Sequence, residues 1–86
     1  MNLNKQNLIN KILYRSQYRG SKEMDIFIAS FVKSIVNKLS IEELSSLNQI
    51  INLDDEQILY LCNNDSEIQK YNKGIILKLR DFKNKF

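Results

Sequence analysis

The chain has 86 residues with no proline, 43% hydrophobic and 27% charged, a composition that excludes the disordered and collagen-like classes and fits one small globular domain. With no histidine, a single cysteine (Cys62) and only two glycines, it also lacks the residues most hydrolases, zinc sites, disulfide scaffolds and phosphate-cradling loops require. The net charge of +3 comes from lysines scattered from Lys5 to Lys85, a distribution that reads as a solvated surface.

A domain of this length buries only about 60 to 65% of the surface its unfolded chain exposes, which leaves little room for a deep catalytic pocket. The opening stretch MNLNKQNLINKILYRS is polar and enters a periodic pattern at once, without an apolar run of the length a secretion signal or membrane span needs. The expectation is a reducing compartment, a bacterial cytoplasm, with no stable membrane insertion.

In chain order, Leu8, Ile9, Ile12 and Leu13 predict a first helix from about Asn4 to Ser16. After Gly20, the series Met24, Phe27, Ile28, Phe31, Val32, Ile35 and Leu39 has the strongest helical periodicity and predicts the core element. The small residues Ala29, Ser30 and Ser34 lie off that stripe and would let another chain or helix come close. SIEE, from Ser40 to Glu43, is a capping box that starts a third helix carrying Ile41, Leu44, Leu47, Ile50 and Ile51 and ending near Asn52. Asp54 or Asp55 then caps a short fourth helix with Ile58, Leu59, Leu61 and Cys62. NNDSE, from Asn63 to Glu67, is a turn cluster, and Ile68, Tyr71, Ile75, Leu79 and Phe82 mark a fifth helix. Gly74 weakens the first half of that helix, which moves its expected start to Asn72 or Lys73. No segment alternates with period two, so the predicted fold class is all-α, a five-helix bundle with short connections and a core over about residues 8–82.

Several groups have a structural explanation at hand. Cys62 stands in an apolar run without a paired base, which predicts a packing thiol. The carboxylates of Asp54 and Asp55 are accounted for as caps, and the four tyrosines are dispersed as rim residues of the core.

The stretch YRSQYRGSKEMDIF, from Tyr14 to Phe27, is less easily absorbed, because Arg15, Arg19, Glu23 and Asp25 put four charges around Gly20. Two accounts of it stand side by side. In one, Gly20 supplies a positive φ at a corner between helices, Ser21 is the N-cap of the second helix, and Glu23 and Asp25 complement its dipole. In the other, the arginines recognise a carboxylate or phosphate, since two of only three arginines in a lysine-rich chain fall here and the guanidinium offers a planar fork.

At these residues the sequence resembles the small FAD assembly factors of succinate dehydrogenase, called SdhE in bacteria. Their R-G-x-x-E motif at the junction of the first two helices corresponds to Arg19, Gly20, Ser21, Lys22 and Glu23. The flanks LYRSQYRG and KEMDIFIASF and the segment LDDEQIL fit as well, with Asp25 in the family's acidic position, so the likeness spans about Leu8 to Phe82. Family members usually carry a proline after the Asp pair and a tryptophan in the fourth helix, where this chain has Glu56 and, at about the matching place, Leu61.

The resemblance implies a non-enzymatic helper that binds the flavoprotein subunit of succinate dehydrogenase, and by extension fumarate reductase, and promotes covalent attachment of FAD to a histidine there; the oligomeric state is left open, with a monomer favoured. FAD then belongs to the partner, no cofactor to this chain, and direct contact with FAD is left open. It also implies that Arg19, Gly20 and Glu23 contact the partner, supported by Arg15 and Asp25. The runner-up is a small basic helical domain that binds nucleic acid, for which one exposed helix would have to carry a basic stripe. No helix shows such a stripe, since Lys33 and Lys38 share the second helix with Glu23 and Asp25, and no nucleic-acid partner is expected.

Overall fold

The computed structural model describes residues 3–17, 21–63 and 71–85. Among them are five α-helices and no strand: α1 (Leu3–Ser16), α2 (Lys22–Ile35), α3 (Ile41–Ile51), α4 (Asp55–Asn63) and α5 (Lys73–Lys85). Arg19, Gly20 and the residues from Asn64 to Lys70 lie outside the described residues, and with them the φ expected at Gly20 and most of the NNDSE turn.

The starts of α2, α3, α4 and α5 each carry a side chain that satisfies an otherwise orphaned amide. The Ser21 hydroxyl accepts from the Met24 amide at 3.3 Å. Ser40 forms the full capping box, its Oγ accepting from the Glu43 amide at 3.2 Å while its own amide donates to Glu43 Oε1 at 2.9 Å. Asp54 does the same with Gln57: Asp54 Oδ1 accepts from the Gln57 amide at 2.8 Å, and the Asp54 amide donates to Gln57 Oε1 at 3.1 Å. The cap of α4 is thus Asp54, and its reciprocal partner was not foreseen in the sequence. Asn72 caps α5 by accepting from the Ile75 amide at 3.1 Å. A Cβ on Gly74 would stand 3.2 Å from that same Asn72 oxygen, so glycine leaves the cap its room.

α1 packs chiefly on α3 and α2, and α5 packs on α4, α2 and α3. The predicted stripes close into one core of Ile9 and Ile12 from α1, Phe27, Ile28, Phe31 and Val32 from α2, Leu44, Leu47, Ile50 and Ile51 from α3, Ile58 and Leu61 from α4, and Ile75, Ile76 and Leu79 from α5. Phe82 caps this core, its ring centroid 6.0 Å from Phe27 and 5.6 Å from Phe31, both pairs tilted as the ring quadrupoles prefer.

The structure corrects the sequence reading in three places. The second helix stops at Ile35 and continues as a 3-10 turn over Val36–Lys38, with Leu39 extended and buried. A 3-10 turn also brings i and i+3 to one side, so Val36 and Leu39 kept the apolar rhythm without staying α-helical. α5 starts at Lys73, one of the two starts expected from Gly74, so Tyr71 precedes it while still packing against the core. Ile41 and Leu59, read as core, are 42% and 38% exposed, because each falls on the outer side of its helix. Tyr14 and Tyr60, read as rim residues, are open to solvent at 68% and 49%.

Arg80 was not singled out in the sequence, yet it ties α5 to α4. Its Nε and Nη2 both donate to the Leu61 carbonyl, at 3.1 and 2.9 Å, near the α4 C-terminus where a helix lacks donors for its last carbonyls. Leu61, which stands about where the family carries tryptophan, is itself buried. A leucine in the core and a guanidinium on its carbonyl together anchor α4 without the aromatic ring.

Candidate functional site

Of the five residues singled out around Gly20, the structure places three. Arg15 is exposed in the last turn of α1, Glu23 is exposed in the first turn of α2, and Asp25 is half-buried two residues further on in that turn. Ser21 begins α2 with an extended backbone (φ −74°, ψ 149°), and its carbonyl accepts from the Asp25 amide at 3.0 Å. This is the N-cap foreseen in the corner account, and it lays the two acidic side chains where the helix dipole favours them.

On the other side of the corner, α1 ends with Ser16 fully buried, its hydroxyl donating to the Leu13 carbonyl at 2.8 Å. A buried serine so close to the helix end keeps the side chain of Arg15, its neighbour in sequence, on the open side. Arg15 Nη1 donates to Asn52 Oδ1 at 3.1 Å. Asn52 terminates α3, and the Leu53 amide donates to the Ile50 carbonyl at 3.1 Å as the chain turns into α4. Ser21 reaches the same turn, donating from Oγ to Asp55 Oδ2 at 3.4 Å.

The consequence is a cleft of about 800 Å³ lined by Tyr14 and Arg15 on one side and Ile51, Asn52, Leu53, Asp54, Asp55 and Glu56 on the other. It sets an exposed tyrosine and a guanidinium opposite an acidic run. The segment LDDEQ thus lies beside the YRSQ end of α1, although the two are far apart in the chain. Sequence reasoning treated Asn52 as a helix end and Asp55 as a cap, and the bonds they make to Arg15 and Ser21 went unseen. The only signal was chemical: an amide at Asn52 and a carboxylate at Asp55 bracketing a short turn.

The remaining chemistry is structural. Cys62 is half-buried, and burial pushes its thiol up from the ordinary 9.0, with Lys83 and Arg80 pulling weakly the other way. Its nucleophilic thiolate is therefore scarce at neutral pH. Among the described residues no group of three or more His, Cys, Asp or Glu could hold a metal ion, and no helix is long and apolar enough to cross a membrane. α5 is more basic than the sequence reading allowed, with Lys73, Lys78 and Lys85 exposed. The exposed Leu77 interrupts that face, and Asp81 pairs with Lys85 at 3.0 Å.

Fold and site together define an all-helical protein whose described surface offers charged hydrogen-bonding groups and a shallow cleft. The family model for the flavinator of succinate dehydrogenase matches residues 10–83, and the chain belongs to that family. The family is one of assembly factors, not of enzymes. Three similar proteins all carry the name succinate dehydrogenase assembly factor 2, mitochondrial. That of Schizosaccharomyces japonicus is 26% identical over 77 residues, 87% of this chain and 54% of that protein. That of Arabidopsis thaliana is 34% identical over 55 residues, 64% of this chain and 29% of that protein. That of Schizosaccharomyces pombe is 26% identical over 72 residues, 83% of this chain and 52% of that protein. The chain therefore spans about half or less of the length of these relatives. No solved structure matches it significantly.

Proposed function

We propose that this chain binds the flavoprotein subunit of succinate dehydrogenase and promotes covalent attachment of FAD to it by positioning, with the bond-making left to the flavoprotein. The observation that carries this reading is the family match over residues 10–83. The exposed Glu23, which closes the R-G-x-x-E motif, and the exposed Arg15 just before it support the reading. The chain has no histidine to accept a flavin, and its thiol is held neutral by burial, so its own contribution reduces to binding and orientation. Holding a flavin and its acceptor histidine in a near-attack arrangement can supply several kcal/mol of rate, on the order of 7 at the lower end of well-oriented intramolecular reactions.

In this proposal Arg19 and Glu23 make charge-assisted hydrogen bonds to the flavoprotein, Arg15 and Asp25 support them, and Gly20 lets the partner's backbone approach. The chain acts as a monomer in a reducing, cytoplasmic setting. Coexpressing the flavoprotein subunit with and without this chain, followed by in-gel fluorescence of covalent flavin, tests the role. Flavin attachment should rise only when the chain is present. Gly20→Val should abolish the gain while circular dichroism stays helical, and full assistance by that variant would reduce the motif to a corner.

A further inference from the structure

Two side-chain bonds that span 37 and 34 residues of sequence converge on one short turn. Arg15, closing α1, gives Nη1 to Asn52, and Ser21, opening α2, gives its hydroxyl proton to Asp55. The Ser21 oxygen is used in both directions, because it accepts from the Met24 amide while donating to the carboxylate. The turn that receives these bonds is itself well fastened. The Asn52 amide donates to the Asn48 carbonyl at 3.2 Å, and Asp54, between the two acceptors, is locked to Gln57 in both directions.

We infer that Asn52 and Asp55 are positioning residues: they hold the exit of α1 and the entry of α2 at a set separation and so fix how Arg15 and Glu23 are offered to a partner. This rests on the proposed docking role, but neither residue has to touch the partner. Hydrogen-bond acceptance is what matters at both positions. Asn52→Asp and Asp55→Asn keep an acceptor oxygen at each site, whereas Asn52→Ala and Asp55→Ala remove it.

The experiment compares the wild-type chain, the double alanine variant and the double conservative variant (N52D with D55N) by two independent readouts. The first, in the free full-length chain, is 15N relaxation at the Gln17, Ser21 and Glu23 amides. The second is covalent flavin in the coexpression assay. The alanine pair should lower the order parameters of those amides from about 0.85 toward about 0.6 with helicity retained. It should also cut flavin attachment on the order of tenfold, a loss typical of small misplacements, and the conservative pair should restore both. Amides that stay rigid in the alanine pair overturn the inference, as does failure of the conservative pair to rescue. Loss of flavin without loosening means direct contact with the partner and also overturns it. Loosening without loss of flavin, in an assay where Gly20→Val is inactive, overturns the functional half. If the wild-type chain itself gives no gain in flavin, the proposed function falls, and the relaxation data still decide whether the turn holds the two helix ends.

Discussion

The centre and the first turn of α2 are held by different forces. From Phe27 to Val32 the helix buries four large side chains against the core, with Phe82 closing over two of them. Its first turn is held by an exposed serine cap and a bond to Asp55, and the neighbouring end of α1 by an exposed guanidinium on Asn52. Burial of apolar surface is worth roughly 25 cal/mol per Å², whereas a typical hydrogen bond nets only about 0.5 to 1.5 kcal/mol, and less when water competes. Stability therefore resides in the centre of the helix and geometry at its start, so damage to each should be visible in different assays.

The largest effect expected on stability is in the buried centre. Phe31→Ala should cost about 3 to 5 kcal/mol, a large part of what a chain this size has, and urea denaturation should show it losing most of its native baseline. Arg80→Met should follow with about 1 to 3 kcal/mol, since the Leu61 carbonyl loses both its donors, and hydrogen exchange at the end of α4 should rise. Ser40→Ala should cost about 1 kcal/mol in the same denaturation experiment. Arg15→Ala should move stability by no more than about 0.5 kcal/mol yet lower flavin attachment in coexpression, the sharpest form of the contrast. An equal loss of stability at Arg15 and Phe31 would break it.

The capping box adds a pH test with a definite sign. The hydrogen bond from the Ser40 amide, then that from the Ser40 side chain, holds the Glu43 carboxyl below its ordinary 4.5. The unfolded chain therefore takes up the proton first, and the stabilisation present at neutral pH fades as pH falls below about 4.5 and through the folded value. Glu43→Gln should flatten that part of the profile, measured as urea midpoints at pH 7 and pH 3. A profile identical to wild type would remove the box from the account of acid sensitivity.

Much of this was legible in one dimension because its causes are local. Helix caps act over three residues, so Ser21, Ser40 and the Asp pair announced three helix starts, and helical rhythm marked Ile9, Ile12, Phe27, Phe31 and Ile75 as interior. The same rhythm misled at Leu39, where a 3-10 turn preserves the i, i+3 relation, and at Ile41 and Leu59, where an apolar residue simply faces water. The R-G-x-x-E motif, being contiguous, pointed to the family that the match over residues 10–83 establishes.

What the sequence determined by itself, then, is the set of helices, their caps and the kind of protein, because those depend on neighbours three or four residues away. Only the tertiary structure decided that Arg80 would clasp Leu61, and that Arg15 and Ser21 would both reach the turn at Asn52 and Asp55. Those pairings join residues 19 to 37 positions apart, and no periodicity records which helix ends will meet once the apolar faces have closed.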